Sequence, residues 1–321
     1  MDCFKVTYHD QFAYVVFDTP GEKVNKFNKA VMLELLELIE DLNKRINLKW
    51  ILFDSGKKGV FIAGADIKEL ESIDSLESGV ELIERGQGVF NALSELKPKT
   101  VALIDGVALG GGLEFALACD YIVVTDSPKV KLGLPEVNLG IIPGWGGTQR
   151  LPRRIGLIQG VSHIVSGKII NAKKALKLGL VDAIVPSEFK HDALMDLIRL
   201  KQLKRRVVKR QLIEYLPGFR SVIFRKAKQS IIEKTKGLYP APLKALEVIR
   251  SSFSRSISSG MKIEAKGIED LILNPITKQL TKLFFAQETI KKQGYKMANG
   301  ARSIHRVGIC GAGLMGGGIG W

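Results

Sequence analysis

Cysteine is scarce in this sequence of 321 residues, and its three copies lie far apart, at Cys3, Cys119 and Cys310. They lack the close spacing of metal ligands, and an odd number of scattered cysteines does not indicate a disulfide framework. The four histidines likewise form no metal-like or triad-like set. We therefore expect no metal site. We also expect a reducing compartment, either the bacterial cytoplasm or the mitochondrial matrix of a eukaryote, although no transit peptide is visible.

Long apolar runs are also missing. No stretch reaches the roughly eighteen apolar residues that a membrane-spanning helix requires. The amino terminus alternates apolar and polar side chains and lacks the charged start, apolar block and cleavage site of a signal peptide. Hydrophobic residues nevertheless make up 45% of the chain, which is enough for a packed globular core.

Acidic side chains are outnumbered, 33 against 48 basic ones, which gives a formal charge of +15. Such an excess fits a nucleic acid, an anionic membrane or protein partner, an acidic ligand or a solvated surface. Much of it is local, because residues 199–228 hold eleven basic side chains and one acid, Glu214. Their apolar neighbours predict an amphipathic helix with a cationic face, either docked on a partner or packed on the core. Aromatic residues for base stacking are sparse there, so we expect no nucleic-acid partner.

Strand and helix patterns alternate along the first part of the chain, which predicts an α/β core. Helical periodicity covers residues 31–46, with Ile46 as the last residue of the apolar face, and residues 79–96. Short apolar or alternating runs predict strands at 5–8, 13–17, 50–53, 101–104, 121–124 and 130–132.

Beyond Pro186 the pattern becomes mostly helical, with breaks at Pro217, Pro240 and Pro275. From Arg306 onwards it becomes glycine-rich. The sequence therefore predicts an α/β domain over 1–187, a helical extension over 188–304 and the start of a further domain over 305–321.

Two glycine-containing segments are candidates for presenting backbone amides to a ligand. Three consecutive glycines from Gly110 follow a predicted strand and open a helix, so that amides can approach a ligand without an obstructing Cβ. The positive end of the helix dipole points the same way. Ala63-Gly64-Ala65 offers a second such place, and two converging amides would stabilise an oxygen that gains negative charge. A glycine run alone is more often explained by tight helix packing.

Glu114 and Glu136 are the candidate acid and base. Each follows a strand in otherwise apolar sequence, where burial would raise the pKa of its carboxyl. Paired carboxyls can carry protons to and from a substrate. Their separation excludes a shared helix face, so only the tertiary fold can bring them together.

Four segments, read in order, indicate a family. They are FIAGADI from Phe61, GVALGGGLE from Gly106, GLPE from Gly133 and GIIPGWGGTQRL from Gly140. This order and spacing resemble the crotonase superfamily of enoyl-CoA hydratases and isomerases, over roughly residues 4–185. The resemblance implies a ClpP-like spiral of ββα units in an α/β fold, followed by the helical extension.

The resemblance also implies roles for individual residues. The amides of Ala65 and Gly111 would hold a thioester oxygen, while Glu114 would act mainly on water and Glu136 mainly on the α-carbon. The activity implied is reversible hydration of a trans-2-enoyl-CoA, with no cofactor besides the coenzyme A of the substrate. Trp145 stands where the family often has a smaller residue, which would narrow the acyl pocket. The implied substrate contacts are Ala63, Gly64, Asp66, Gly110 and Gly144.

The longer turn at 126–129 and the segments 239–244 and 283–286 resemble the α-subunits of fatty-acid oxidation complexes. Such a likeness implies a thiolase β-subunit as partner in a heterotetramer, and a peripheral contact with an anionic membrane. The motif of Gly311, Gly313 and Gly316 fits GxGxxG and resembles the start of a 3-hydroxyacyl-CoA dehydrogenase domain, which binds NAD. The acid that holds the ribose would fall beyond Trp321, so we expect no NAD binding by this chain.

Other functions stay open at this point. Within the same superfamily they are Δ3-Δ2-enoyl-CoA isomerisation, thioester hydrolysis and decarboxylation. Outside it, a non-catalytic basic module could bind a membrane or RNA. The presence of both glutamates favours hydration, because one carboxylate often suffices for isomerisation in this superfamily and a binding module needs none.

Overall fold

The computed structural model describes residues 3–206, 214, 217–298, 308 and 311. The chain divides into two compact units, Met1–Thr281 and Lys282–Trp321. Both of the sheets described below belong to the first unit. The second unit contains the end of a long helix, within which the rings of Phe284 and Phe285 lie 5.6 Å apart.

A six-stranded sheet forms the larger layer, and its first two strands are antiparallel while the remaining neighbours pair in parallel. In spatial order its strands are β1 (Phe4–His9), β2 (Phe12–Phe17), β3 (Trp50–Ser55), β5 (Lys99–Ile104), β7 (Tyr121–Thr125) and β9 (Ala183–Val185). A smaller parallel sheet contains β4 (Gly59–Ile62), β6 (Gly106–Leu109) and β8 (Lys131–Gly133).

The chain alternates between these two sheets. Strands β3, β5 and β7 of the large sheet lead directly into β4, β6 and β8 of the small one. Each pair is followed by helical structure, so the repeating unit is strand, strand, helix. This winding confirms the predicted α/β spiral of ββα units.

Twelve α-helices lie within the described part of the chain, and three of them begin at prolines that the sequence marks as breaks. Proline suits the first helical position because its missing N–H would have no acceptor there. The helices are α1 (Lys29–Lys44), α2 (Ile67–Glu71), α3 (Leu76–Ser94), α4 (Gly111–Ala118), α5 (Gly147–Ile155), α6 (Leu157–Ser166), α7 (Ala172–Leu178), α8 (Lys190–Arg199), α9 (Pro217–Thr235), α10 (Pro240–Ser252), α11 (Ile257–Ile272) and α12 (Pro275–Ala298).

Central strands of the large sheet are covered on both faces, which explains their unbroken apolar sequence. Residues 101–104 of β5 are fully buried. Helix α8 covers one face, where Leu194 and Ile198 pack with Leu52 and Val123. The opposite face contributes to the main core, which includes residues of α1, α3 and α4.

Ile46 departs from the prediction. Helix α1 ends at Lys44, and Arg45 adopts an extended conformation with φ −84° and ψ 100°. Ile46 is consequently outside the helix and 97% exposed, so its assignment to the buried face was wrong. The apolar face of α1 ends instead at Leu42.

The predicted amphipathic helix of the basic segment falls largely on residues 207–213, 215 and 216, which lie outside the described residues. Glu214, the single acid of that segment, is buried and accepts hydrogen bonds from the Leu157 and Ile158 N–H groups. These amides begin α6, where the positive end of the helix dipole favours a carboxylate.

The predicted NAD motif also lies mostly outside the described residues. Gly311 is exposed with φ of 109°, whereas Gly313 and Gly316 are not described. The start of a dinucleotide-binding domain therefore stays a prediction, as do the boundaries at 187 and 304. Within the described part of the chain, no helix is long and apolar enough to cross a membrane.

Candidate active site

The small sheet brings three of the four motif segments together. Its strands β4, β6 and β8 are parallel neighbours, so the residues that follow them emerge at one edge. Residues 63–66 follow β4, Gly110 and Gly111 follow β6, and residues 134–136 follow β8. The topology thus explains how segments far apart in sequence form one site.

Ala65 and Gly111 lie close together at this edge. Phe27 N–H donates to the Gly64 carbonyl over 2.9 Å, and Asp66 N–H donates to the Phe27 carbonyl over 2.8 Å. In a parallel bridge of this kind, the Ala65 N–H points away from Phe27. The Gly111 N–H begins α4 and has no acceptor within that helix. A Cβ placed on Gly111 would lie 3.5 Å from the Ala65 nitrogen, so the two residues are close neighbours.

Gly110 makes this turn possible. Its φ of 53° and ψ of −128° lie in a region that side chains with a Cβ rarely adopt. Its N–H donates to the Gly133 carbonyl over 2.9 Å, which ties the turn to β8. A Cβ on Gly110 would also lie 3.1 Å from Glu136 Oε1, so the Glu136 carboxyl lies directly over the turn.

Glu114 lies one turn into α4 and is 2% exposed. Its Oε1 accepts two hydrogen bonds, from Trp145 N–H over 2.8 Å and from Gly147 N–H over 2.7 Å. Burial raises the pKa of Glu114 well above its ordinary value, and the charges of Glu136 and Glu264 raise it further. The two N–H donors act in the opposite direction, because they stabilise the carboxylate.

Glu136 begins a short 3-10 helix, Glu136–Leu139, directly after β8 and Pro135. Both of its carboxyl oxygens are buried, and neither accepts a hydrogen bond from another described residue. Burial therefore raises the pKa of Glu136 to about 8. The two predicted glutamates thus differ in environment: two amides donate to Glu114, and no other described residue donates to the Glu136 carboxyl.

The remaining predicted substrate contacts surround this centre in different ways. Asp66 accepts a hydrogen bond from Lys68 N–H at the start of α2 and pairs with Lys26 Nζ at 3.0 Å. Ala63 is partly buried on the same loop, and its N–H donates to the Asn25 carbonyl. Gly144 packs against the apolar Ile268, whose Cδ1 would lie 2.6 Å from an added Cβ.

Trp145 is buried against the site. Its ring lies 5.5 Å from that of Phe90 and 6.1 Å from that of Phe27, edge to face in both cases. A Cβ on Gly111 would lie 2.5 Å from Trp145 Cζ3, so the indole covers the glycine whose amide is in the site. The structure thus places the indole beside Gly111, and the narrowing of the acyl pocket stays a prediction.

A third buried carboxyl, Glu264 of α11, was not anticipated from the sequence. It is fully buried and accepts hydrogen bonds from Gly146 N–H at 2.7 Å and Thr148 N–H at 3.0 Å. The Thr148 hydroxyl and Gln87 Nε2 also donate to it. Burial raises the pKa of Glu264 to about 7. One signal was present: Glu264 interrupts the apolar face of α11 between Met261 and Ile268.

One buried cation faces these acids. Arg150 is 7% exposed and donates to the Trp145 carbonyl at 3.1 Å and to Asn91 Oδ1 at 3.0 Å. Burial lowers the pKa of its guanidinium, while the charges of Glu264 and Glu114 raise it. Among the described residues no cluster of three or more acids, histidines or cysteines has the geometry of a metal site.

Comparison with known proteins decides the family. The family model described as enoyl-CoA hydratase/isomerase matches residues 8–217, well over half of the chain. The chain belongs to the enoyl-CoA hydratase/isomerase family. This hydratase resembles the fatty acid oxidation complex subunit alpha of Vibrio parahaemolyticus, with 40% identity over 310 residues. The subunit of the same name from Shewanella loihica is 38% identical over 314 residues.

Each of these matches covers 96% of this chain but 44% of the relative, so the chain spans less than half of the length of the curated relatives it matches. An enoyl-CoA hydratase of Bacillus halodurans has the same fold, with a TM-score of 0.66 at 21% identity, over 88% of this chain and 100% of that one. DspI of Pseudomonas aeruginosa gives a TM-score of 0.58 at 25% identity, over 80% of this chain and 97% of that one.

These findings confirm the crotonase fold, its helical continuation and the enzyme class, an enoyl-CoA hydratase. They do not test the role of any single residue. The roles of Ala65, Gly111, Glu114 and Glu136 stay predictions. The positions and hydrogen bonds described above allow each role to be tested.

Proposed function

We propose that this hydratase adds water reversibly to a trans-2-enoyl-CoA through Glu114, Glu136 and the amides of Ala65 and Gly111. The observation that carries the proposal is the position of both carboxyls beside the Gly110 turn. Water attacks the β-carbon, and its proton passes to Glu114. Glu136 delivers a proton to the α-carbon, so the product gains one hydroxyl and one hydrogen. The two carboxyls together hold one proton before and after the reaction.

The oxyanion step uses backbone groups alone. Attack at the β-carbon moves electrons through the conjugated system to the thioester oxygen, which becomes enolate-like. The amides of Ala65 and Gly111 donate to that oxygen, and the dipole of α4 favours its negative charge. The chemistry needs no cofactor, because the coenzyme A belongs to the substrate.

The division of labour follows from the hydrogen bonds. Both glutamates have raised pKa values through burial, and their proximity disfavours two negative charges. Two N–H groups stabilise the negative charge on Glu114, whereas the Glu136 carboxyl accepts no hydrogen bond from another described residue. Because of these donors, we assign the role of base to Glu114 and the role of acid to Glu136. Among the described residues Glu114 Oε2 accepts no hydrogen bond, which leaves it for the water.

Substrate contacts of this hydratase extend along the loop after β4. Ala63 and Gly64 would contact the coenzyme A moiety through their backbone, and Asp66 would order the loop through Lys26. Gly110 and Gly144 would shape the site beside the acyl chain. Isomerisation of a neighbouring double bond is a lesser activity of the same site, since Glu136 alone can move a proton between carbons.

The proposed partners and the dehydrogenase activity are inferred from the relatives and not from the active site described above. Relatives named as subunits of a fatty acid oxidation complex support an acyl-CoA substrate and a protein partner. A thiolase subunit is the partner we propose, together with a peripheral anionic membrane contact. The motif of Gly311, Gly313 and Gly316 is the proposed start of an NAD-binding dehydrogenase domain, and the cytoplasm is the proposed location.

The decisive experiment measures hydration of crotonyl-CoA by loss of absorbance of the conjugated thioester. The wild-type chain should be active, and Glu114→Gln and Glu136→Gln should each lower turnover by about 10²–10⁴-fold, the usual contribution of a general acid or base. Glu37→Gln, an exposed glutamate of α1, is the matched control and should keep full activity. An inactive wild type, or full activity in both active-site variants, contradicts the proposal.

A further inference from the structure

Two buried carboxylates hold alternate amides of one short segment. The N–H groups of Trp145 and Gly147 donate to Glu114, and those of Gly146 and Thr148 donate to Glu264. The four successive amides therefore donate alternately to the two carboxyls. The segment therefore connects the two carboxyls through neighbouring peptide units.

The connection runs from α11 to the candidate base. Glu264 fixes Gly146 and Thr148, and the segment between them carries the Gly147 amide that holds Glu114 Oε1. Gln87 reinforces the arrangement, because its Nε2 donates to Glu264 at 3.1 Å and to the Gly144 carbonyl at 3.0 Å. Glu264 is thus linked to Glu114 through the backbone of this segment.

The buried position of the Glu264 carboxyl is unfavourable for folding unless hydrogen bonds compensate for the lost hydration. A fully buried carboxyl without partners is destabilising, and four donor groups hydrogen-bond to Glu264. An apolar side chain would complete the face of α11 between Met261 and Ile268 without any such requirement. The donors and the acid are therefore more than packing.

From these contacts we infer that Glu264 is a positioning residue for hydration, which fixes the orientation of Glu114 through the Trp145–Thr148 segment. The inference rests on the proposed function of Glu114. It also places a part of the working site in α11, outside the residues 8–217 that match the family model. The helices beyond residue 217 would then belong to the catalytic unit.

The negative charge of Glu264 should affect the pH profile of hydration, and a residue that serves only in packing would not. The charged groups facing Glu264 are Glu114 of α4, Glu136 of the 3-10 helix and Arg150 of α5. On the neighbouring α10, Lys244 pairs instead with Asp270. Ionised Glu264 raises the pKa values of Glu114 and Glu136, so removal of its charge should lower both.

The test compares Glu264→Gln with Glu264→Asp in the full chain. Glu264→Gln should lower kcat/KM for crotonyl-CoA by about 10²-fold, the scale of a small misplacement of a catalytic group, and should move the alkaline limb of the pH profile to lower pH. Glu264→Asp retains the charge but withdraws it by one methylene, so it should lose rate while the limb stays in place. If the glutamine variant does not fold, the aspartate variant still tests the positioning.

Glu269→Gln is the control, because Glu269 lies on the same helix and pairs with Lys266. It should behave as the wild type does. Wild-type rates in either Glu264 variant would overturn the inference, as would a loss of rate in Glu264→Gln with an unmoved profile. An inactive wild type would instead overturn the proposed function, so the two failures are distinguishable.

Discussion

Gly147 is both a donor to Glu114 and the residue that leaves room for it. Its N–H lies 2.7 Å from Glu114 Oε1, and a Cβ added to Gly147 would lie 2.8 Å from the same oxygen. The added atom would also lie 2.7 Å from Pro143 Cβ and 3.0 Å from Leu134 Cδ1. A side chain at this position therefore displaces either the carboxylate or its surroundings.

The first prediction follows directly. Gly147→Ala should lower kcat for crotonyl-CoA hydration by roughly 10–10²-fold, because a misplacement of about 1 Å is costly for a catalytic group. Gly88→Ala is the control: Gly88 is an exposed residue of α3 with no heavy atom within 4 Å of an added Cβ. The control should keep its rate and gain about 0.5–1 kcal/mol of stability. Equal rates in both variants would contradict the assigned position of Glu114.

The second prediction concerns the pH profile of the wild type. Glu136 must be protonated to deliver its proton to the α-carbon, and its pKa is raised to about 8. The value of kcat/KM should therefore fall as the pH rises through about 8. Dehydration of the 3-hydroxyacyl-CoA should show the same limb, since the equilibrium constant of hydration does not vary with pH. A profile that stays flat from pH 7 to pH 10 would remove Glu136 from the role of acid.

The third prediction is that Glu136→Gln loses activity but gains relative stability at alkaline pH. A carboxyl with a raised pKa in the folded state binds its proton more tightly there than in the unfolded chain. Its contribution to stability is complete below the unfolded pKa of 4.5 and is lost as the pH rises through about 8. The free energy of unfolding of the wild type should therefore decline over this range, by up to about 1.4 kcal/mol per pH unit from this group.

Glu136→Gln carries no such proton. In denaturant unfolding, the free energy of unfolding of the variant relative to the wild type should be higher at pH 9 than at pH 5. Glu37→Gln, with an exposed side chain on α1, should show no such gain. A constant difference between Glu136→Gln and the wild type at both pH values would mean that the carboxyl of Glu136 is well hydrated.

Much of the site could be predicted from the sequence, because the residues that follow neighbouring parallel strands emerge at the same edge of a sheet. Ala65, Gly111 and Glu136 each follow a strand of the small sheet, so local patterns with short spacings determine their positions. Glu114 follows from the same pattern, since it lies one helical turn after Gly110. The segments' order was enough to indicate that these groups meet.

Glu264 was not predictable in this way. Its partners, Gly146 and Thr148, lie more than a hundred positions away, and α11 contacts them through packing that no local pattern encodes. Gly144 was expected among the substrate contacts; in the structure it packs on Ile268, and its neighbours Trp145 and Gly147 donate to Glu114. Such details depend on which way each peptide unit turns, and spacing does not determine that.

The fourth prediction tests the cationic surface of α9. Arg225, Lys226 and Lys228 are exposed, and a cation near an anionic membrane gains about 1 kcal/mol. Replacing all three with glutamine should weaken co-sedimentation with anionic vesicles at low salt, and neutral vesicles should bind neither form. The control replaces the exposed Lys23, Lys44 and Lys49, which changes the net charge equally. An equal loss in both triple variants would show that net charge matters and the α9 surface does not.

The fifth prediction distinguishes the effect of losing the Gly111 N–H from the effect of adding a side chain beside Trp145. Gly111→Pro removes the N–H, and losing one oxyanion donor costs about 10²–10³ in rate. It also adds a Cβ where Trp145 Cζ3 would lie 2.5 Å away, which alone would disturb packing by roughly 1–3 kcal/mol.

Gly111→Ala is therefore the necessary comparison, because it adds the same Cβ and keeps the N–H. Proline at the first helical position retains the start of α4, so both variants should unfold at similar denaturant concentrations. Crotonyl-CoA hydration should then be slower in Gly111→Pro than in Gly111→Ala by most of the factor attributed to the donor. Ala65→Ser, which also keeps its amide, should be nearly as active as the wild type. If alanine and proline at position 111 give the same rate, the loss arises from contact with Trp145 and the thioester oxygen lies elsewhere.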